Sequence, residues 1–320
     1  MMLFCIAVLV GFLLLAWSAD RFVDGASSIA RILGISPMII GLTIVSLGTS
    51  APEIVVAVLA AMDGKSGLAI GNALGSNIAN IGLVLGSTAL IAPLAIRSQI
   101  IRRELPILFL VMLLALGLML DGELSRMDGL VLLAGLVMLF WWLILLGMRD
   151  RQDILQEEFS ESIPASQSMQ KSVLWFFTGL IVLVLASRLV VWGAVHIAHV
   201  FGVSDLLIGL TIVAVGTSLP ELMASIVSAL KNEADIAIGN VIGSNMVNIL
   251  AVLCVPALID PQAFDAEVLH RDMPVMFAFT MVLLLVACGF RGPGRINRIE
   301  GAVLLSGFCA YLVLLYATSS

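Results

Sequence analysis

The sequence predicts an all-α polytopic membrane protein of about ten transmembrane helices, built as two inverted five-helix repeats with discontinuous core helices. Three observations predict it: the composition, the number of long apolar segments and a repeated set of motifs. The 320 residues are 61% apolar and 12% charged, whereas a soluble domain is about 45–50% apolar and about a quarter charged. Ten spanning helices of roughly 20 residues each leave room only for short connections. The composition therefore excludes a separate soluble domain.

Apolar runs between charged residues or Gly/Pro breaks define the predicted spans. They lie near 2–19, 37–61, 67–94, 104–120, 128–148, 172–198, 206–229, 235–258, 273–290 and 299–317. The polar stretch 149–171 divides them five and five. We therefore predict an N-terminal repeat at 1–148, a cytoplasmic linker at 149–171 and a C-terminal repeat at 172–320. The first segment has no Lys or Arg before Arg21, unlike a secretory signal peptide, so we expect it to be the first span.

The basic residues predict how the chain is oriented in the membrane. With the N-terminus outside, the inward-facing connections carry 12 of the 16 Lys and Arg residues and the outward-facing side carries 4. The outward set is Lys65, Arg126, Arg188 and Arg271. Because Lys and Arg accumulate on the cytoplasmic side, we expect both termini outside and the central linker inside.

Two pairs of motifs recur at a constant offset of 168 residues. GLTIVSLGTSAPE at 41–53 matches GLTIVAVGTSLPE at 209–221, and AIGNALGSNIANI at 69–81 matches AIGNVIGSNMVNI at 237–249. Chance similarity between apolar helices would not place Gly, Asn, Ser, Pro and Glu at one offset. Five spans per half is an odd number, so the second copy must enter the membrane from the opposite side. Inverted repeats of this kind are typical of secondary transporters, whose sites lie near the midplane.

The first motif places one glutamate, Glu53 or Glu221, inside an apolar span of each half. A charge at mid-bilayer costs about 2.5–3.5 kcal/mol on insertion scales and needs a compensating partner. No Lys or Arg occurs at a matching depth within the predicted spans, so we infer that the partner is a mobile cation. The alternative is that each glutamate is protonated or lies at a helix end.

The same motif predicts a break in each helix. Pro52 and Pro220 remove a backbone donor and free carbonyls about four residues earlier. Such broken helices expose carbonyl oxygens that coordinate ions. Thr49 is four residues before Glu53, and Thr217 is four before Glu221, so each pair shares a face where the helix persists.

The second motif predicts a stripe of neutral oxygen ligands. Ser76 with Asn80, and Ser244 with Asn248, are spaced i, i+4, which places each pair on one helix face. Asn72 and Asn240 extend the stripes, whereas Asn77 and Asn245 are expected to turn aside. Four glycines, Gly71, Gly75, Gly239 and Gly243, are expected to let helices approach closely. The alternative is that the asparagines only join helices.

Together these side chains form a set of hard oxygen donors: two carboxylates, hydroxyls, amide oxygens and backbone carbonyls. Such donors suit Ca²⁺, Na⁺ or Mg²⁺ and not thiophilic metals, and Mg²⁺ gives up its water reluctantly. The four cysteines form no CxxC pair, which agrees with packing roles. Two carboxylates balance one Ca²⁺ or two Na⁺, so competition for one cavity would produce exchange.

The paired GTSxPE and GNxxGSN motifs resemble the α-repeats of the Ca²⁺/cation antiporter superfamily, in the sodium/calcium exchanger family. The similarity covers essentially the whole chain and is greatest to bacterial inner-membrane calcium/sodium antiporters. The resemblance implies alternating-access exchange of Ca²⁺ for Na⁺ across the inner (plasma) membrane, with spans 2, 3, 7 and 8 as a core and spans 1 and 6 as a gating pair. It assigns Ca²⁺ to Glu53, Glu221, Thr49 and Thr217. It assigns Na⁺ to Ser50, Ser218, Ser76, Ser244, Asn80 and Asn248.

One departure from the family pattern leaves the driving ion open. Some relatives carry aspartate at one of the positions held here by Asn80 and Asn248. A Ca²⁺/H⁺ exchanger or a K⁺-assisted Ca²⁺/Na⁺ exchanger is therefore an alternative, and a cation channel is a less favoured one. An enzyme is not expected, because HExxH is absent and the three histidines lie toward span ends or loops. Expected partners are the ions and membrane lipid, with no cofactor, nucleic acid or obligate protein partner.

Overall fold

The computed structural model describes residues 1–96, 103–158, 168–202, 214–288 and 294–319. In these ranges the chain is almost entirely helical, with four two-residue strands in the connections. Within the described residues, seven helices are long and apolar enough to cross a membrane, and counting one bent pair as a single crossing gives eight. Two shorter apolar helices, Leu105–Met119 and Leu219–Leu230, accompany them. The expectation of a helical membrane protein is confirmed at this level.

The first half begins with one long helix and continues with interrupted ones. Its elements are α1 (Met2–Leu33), α2 (Pro37–Ile40), a π-helical turn (Gly41–Val45), α3 (Ser46–Thr49), α4 (Ala51–Met62), α5 (Ser66–Ala79), a π-helical turn (Asn80–Leu85), α6 (Gly86–Ile91), β1 (Leu94–Ala95), α7 (Leu105–Met119), β2 (Glu123–Leu124) and α8 (Arg126–Glu158). Helix α1 extends well past the predicted end at residue 19. It ends where Gly34 adopts φ 62°, a left-handed conformation that glycine accepts without strain.

The second half repeats this order. Its elements are α9 (Met169–Val200), α10 (Ala214–Thr217), α11 (Leu219–Leu230), α12 (Ala234–Val247), a π-helical turn (Asn248–Val252), α13 (Cys254–Ile259), β3 (Gln262–Ala263), a π-helical turn (Val268–Asp272), α14 (Met273–Ala287), β4 (Arg295–Ile296) and α15 (Arg298–Ser319). Residues 209–213 of the second GLTIV motif, and Arg97, Arg102, Glu161 and Arg291, lie outside the described residues.

The 168-residue offset governs the structure as well as the sequence. Helices α4 and α11, α5 and α12, and α7 and α14 begin and end at positions related by that offset. The equivalence therefore reaches Ala287, far beyond the two motif pairs. The predicted linker is partly helical, since α8 continues to Glu158. The apolar pattern ends at 148, but the polar residues that follow do not interrupt the helix.

Helices α1 and α9, which occupy equivalent places in the two halves, pack along each other. A Cβ built on Gly11 would meet Val190, and one on Gly25 would meet the backbone of Phe176. As the residue number increases along α1, the number of the contacting residue in α9 decreases, so the two helices are antiparallel. Gly179 against Phe22 and Gly193 against Val8 are the same two contacts offset by 168. Glycine is required at these four crossings because the helix backbones approach too closely for a side chain.

Two short antiparallel ribbons join the halves. Strand β1 pairs with β4, and β2 pairs with β3. Each ribbon takes one strand from each half. Helix α7 lies between β1 and β2, and α14 lies between β3 and β4. At the β1–β4 ribbon the start of α7 is therefore next to the end of α14. At the β2–β3 ribbon the end of α7 is next to the start of α14.

Candidate functional site

The two GTSxPE motifs interrupt their helices at the same place. Ser50 has φ −81° and ψ 4°, and Ser218 has φ −86° and ψ 4°, so each serine separates two helical pieces. In the first half the pieces meet at a bend of 42°. The prediction of a break at the proline is confirmed, because proline is tolerated in the first turn of a new helix but not inside an old one.

Each break places a serine and a glutamate at the start of a helix. Ser50 is the residue before α4 and Glu53 lies in its first turn, and Ser218 and Glu221 stand in the same way to α11. This S-x-x-E spacing is the pattern of a capping box, yet neither serine side chain caps its own helix. The hydroxyls remain available for other partners, and the positive end of each helix dipole favours the nearby carboxylate.

Nine of the ten predicted ligand residues are buried. Glu53 and Glu221 are each 1% exposed. The others in this buried set are Thr49, Ser50, Ser218, Ser76, Ser244, Asn80 and Asn248. Thr217 is half-buried. The motifs therefore assemble in the interior of the protein.

Hydrogen bonds connect the two halves across this interior. Ser50 Oγ donates to Glu221 Oε1 at 3.3 Å, and Thr49 Oγ1 donates to Asn240 Oδ1 at 3.0 Å. A third bond runs from Asn80 Nδ2 to Asn245 Oδ1 at 3.0 Å. Residues separated by more than 160 positions in sequence thus form one site.

Asn240 and Asn245 contribute to the site beyond the ten predicted ligands, and the sequence, which placed only Asn240 on a stripe of neutral oxygens, did not indicate the partners of either residue. Asn240 accepts from Thr49 and donates Nδ2 to Glu221 O at 3.4 Å and to Ser225 Oγ at 3.2 Å. It therefore orients one residue of each motif copy. The expectation that Asn245 turns aside is wrong, because it is 1% exposed and accepts from Asn80. The spacing of residues along one helix does not indicate this contact, because Asn80 and Asn245 belong to different helices.

Six of the predicted ligands carry a buried oxygen without a hydrogen-bond partner among the residues that the structure describes. These atoms are Glu53 Oε2, Glu221 Oε2, Asn80 Oδ1, Asn248 Oδ1, Ser218 Oγ and Ser244 Oγ. Buried polar atoms are normally satisfied, so a group of them demands an explanation. All six are oxygens from facing elements of both halves, which is the donor set that hard cations prefer.

One of the carbonyls expected to face ions has another partner. Pro220 frees Gly216 O, and Ser187 Oγ of α9 donates to it at 2.8 Å. The equivalent of Ser187 in the first half is Ala19, which has no hydroxyl. The freed carbonyl of the second half therefore anchors α9 to the site.

The glycine face of the second motif is tightly covered in the second half. A Cβ on Gly239 would lie 2.7 Å from Met38 O, and one on Gly243 would lie 2.6 Å from Leu42 O. The close-packing prediction is therefore confirmed for these two glycines. The positions equivalent to Met38 and Leu42 are 206 and 210, which lie outside the described residues, so close packing at Gly71 and Gly75 stays a prediction.

The charge of the site comes from its two glutamates. Among the described residues, no Lys or Arg forms an ion pair with Glu53 or Glu221. No group of three or more His, Cys, Asp or Glu side chains suited to a metal occurs in those ranges either. The site thus offers two carboxylates and neutral oxygens.

Comparisons with known proteins agree with this geometry. The sequence model of the sodium/calcium exchanger protein family matches residues 3–145 and 171–317. The chain belongs to that family. CaxA of Alkalimonas amylolytica, which is named as an antiporter, is 50% identical over 319 residues, covering 99% of this chain and 100% of its own. The sodium/calcium exchanger MaX1 of Methanosarcina acetivorans is 31% identical, covering 97% of both chains.

A solved exchanger has the same fold. The structure of the sodium-calcium exchanger NCX_Mj soaked with Na⁺ and Ca²⁺ superimposes with a TM-score of 0.83 at 33% identity, covering 98% of both chains. This sodium/calcium exchanger family member is therefore a membrane transporter of the Ca²⁺/cation antiporter superfamily. Both the family and the fold point to a transporter rather than to an enzyme.

Asn240→Ala is expected to weaken the apparent affinity for the transported cation in this exchanger. The change removes the acceptor of Thr49 and the donor to Glu221 O, and unsatisfied buried groups cost about 1–3 kcal/mol each. The matched control is Asn72→Ala, because Asn72 Nδ2 also donates to a glutamate carbonyl, that of Glu53 at 3.2 Å. Concentration dependence of uptake measures both. Equal effects of the two changes would show that the bond to Thr49 contributes nothing.

Proposed function

We propose that this protein is a secondary active antiporter that exchanges Ca²⁺ for Na⁺ across the bacterial inner membrane by alternating access. The observation that carries the proposal is the set of six buried, unpartnered oxygens, which includes one oxygen of each glutamate. Both halves contribute to the set. The proposed metal ligands are the ten residues of the two motif pairs: Glu53, Glu221, Thr49, Thr217, Ser50, Ser218, Ser76, Ser244, Asn80 and Asn248.

The chemistry of these groups favours cations that shed water readily. Ca²⁺ takes six to eight oxygen ligands in flexible geometry, whereas Mg²⁺ needs a near-ideal octahedron and retains water. Glu53 and Glu221 supply two negative charges, which one Ca²⁺ or two Na⁺ would neutralise. Two buried carboxylates without a cation would be costly. The protein therefore favours exchange over leaving the site empty.

The packing supports ten spans in two inverted repeats. Equivalent helices α1 and α9 are antiparallel, as their four glycine crossings indicate. The two ribbons place the start of α7 beside the end of α14, so this equivalent pair also runs in opposite directions. Repeats related in this way, with a site between them, are the usual basis of alternating access.

The localisation rests on charge and on a relative. The inward-facing connections hold 12 of the 16 Lys and Arg residues, which favours external termini and a cytoplasmic linker. A relative from Escherichia coli, 42% identical over 319 residues and covering 98% of its own length, is named inner membrane protein YrbG. We propose the same membrane for this protein.

One observation favours a second candidate for the counter-ion. Asn80 and Asn248 each present a buried neutral oxygen at positions where a carboxylate would add charge. With two carboxylates alone, protons bound at Glu53 and Glu221 would also balance Ca²⁺ release. A Ca²⁺/H⁺ or K⁺-assisted exchanger is therefore the alternative.

Uptake of ⁴⁵Ca²⁺ into proteoliposomes tests the proposal. Purified protein is reconstituted with an outward gradient of Na⁺, K⁺ or protons, and protein-free liposomes are the control. We expect uptake with the Na⁺ gradient and none without a counter-ion inside. Uptake driven by a proton gradient alone would show that the counter-ion is H⁺ and not Na⁺. Flux that needs no ion on the opposite side would indicate a channel and contradict the proposal.

A further inference from the structure

Charged residues of α1 hold the turn between α11 and α12. Lys231 Nζ lies 2.7 Å from Asp20 Oδ1 and 2.6 Å from Asp24 Oδ1, and it donates to Asp20 O at 3.0 Å. Nearby, Arg31 Nη2 lies 3.2 Å from Glu233 Oε1. We call these contacts the Lys231 latch. They tie α1 to the end of the helix that carries Glu221.

The 168-residue offset gives this latch a mirror image with exchanged charges. The equivalent of Lys231 is Asp63, at the end of the helix that carries Glu53, and the equivalent of Asp20 is Arg188 of α9. In the Lys231 latch the base follows α11 and its acidic partner belongs to α1. At the equivalent positions the acid, Asp63, follows α4 and the base, Arg188, belongs to α9. Both Asp63 and Arg188 are exposed and described, and no ion pair joins them in this conformation.

We propose that Asp63 and Arg188 form the latch of the opposite transport state. The inference rests on the proposed alternating-access function. In an inverted repeat, exchanging the conformations of the two halves converts each contact into its equivalent at the 168-residue offset. The Lys231 latch therefore opens as the Asp63–Arg188 pair closes. The charge reversal preserves the attraction, since an acid still meets a base.

The positions of the two latches along the α1–α9 pair agree with alternating use. Asp20 and Asp24 flank the crossing where Phe22 meets Gly179, whereas Arg188 lies by the crossing where Gly11 meets Val190. The two sets of charges therefore lie on opposite sides of the centre of the pair. Each can restrain only its own end of the core.

The two latches differ in strength. The second contact, between Arg31 and Glu233, maps onto His199 and Lys65, so the mirrored site has one attractive pair where the Lys231 latch has several. Partly exposed ion pairs contribute little individually, which suits a restraint that must release in every cycle. The conformation with the Lys231 latch closed is therefore expected to be the more populated one.

Cross-linking tests the proposed pair directly. Cys5, Cys254, Cys288 and Cys309 are first replaced by alanine, and Asp63→Cys is combined with Arg188→Cys. A short bifunctional thiol reagent is expected to link the pair during turnover, to stop exchange, and to release it when a cleavable spacer is reduced. Lys231→Cys with Asp24→Cys is the matched control, because that pair is close in the conformation described here.

Charge reversal gives a second readout that does not depend on cysteines. Asp63→Arg and Arg188→Asp are each expected to slow exchange at least threefold, and the double variant should recover most of the rate. Lys231→Asp serves as the comparison, because it breaks the other latch. These residues lie outside the proposed ion site, so the half-saturating Ca²⁺ concentration should change less than the maximal rate.

The outcomes separate this inference from the proposed function. If the unmodified protein exchanges cations, but Asp63→Cys and Arg188→Cys never link and the charge reversal brings no recovery, the latch is wrong and the antiporter stands. If the unmodified protein exchanges no cation under any gradient, the proposed function itself fails.

Discussion

Glu53→Gln and Glu221→Gln are each expected to abolish Ca²⁺ uptake, with a loss of at least about 100-fold. Glutamine keeps the shape of the side chain but removes one of the two charges that would balance Ca²⁺. Both carboxylates are 1% exposed and carry an unpartnered oxygen, so no neighbouring group or solvent can replace the lost charge. Initial rates of ⁴⁵Ca²⁺ uptake in proteoliposomes measure the effect.

The control for this experiment is Glu123→Gln, since Glu123 is an exposed acid in strand β2. It should transport at the rate of the unmodified protein. Because both glutamine variants reduce buried charge, they should elute as the unmodified protein does on size exclusion. Full uptake by the variant with both glutamates neutralised would remove the basis of the proposed site.

The second large effect is expected from a glycine substitution in α12. A Cβ at Gly243 would lie 2.6 Å from both Leu42 O and Ser46 Oγ. Overpacking a close contact costs about 1–3 kcal/mol. Gly243→Ala should therefore lower the thermal stability of the purified protein, which a melting curve in detergent measures.

Transport gives a second readout of the same substitution. The contact of Gly243 with Leu42 and Ser46 joins the two halves beside the proposed site, so Gly243→Ala should also slow exchange. Normal melting together with normal exchange would show that this contact accepts a methyl group and would contradict the prediction.

The composition and the motif pairs were sufficient to predict the class of the protein, and nine of the ten proposed ligand residues are buried together as expected. Apolar length decides that a segment crosses the membrane, and a proline in an apolar helix decides where it breaks. Both are local effects, so Pro52 and Pro220 gave the positions of the breaks correctly. Burial of Glu53 and Glu221 followed from their apolar surroundings.

Features that depend on two distant elements were not predictable in this way. The bond between Asn80 and Asn245 needs the relative rotation of two helices, which a single helix face does not contain.

The ribbons have a consequence for how the protein is made. Each of the two ribbons takes one strand from each half, so neither half can complete a ribbon, or the glutamate pair, alone. If the polypeptide were cut within residues 159–167, the proposed inverted repeats would require the two fragments to insert in opposite orientations before they could recombine. Biogenesis of the transport site is thus coupled to correct insertion of both fragments, and coexpression should restore it where separate expression does not.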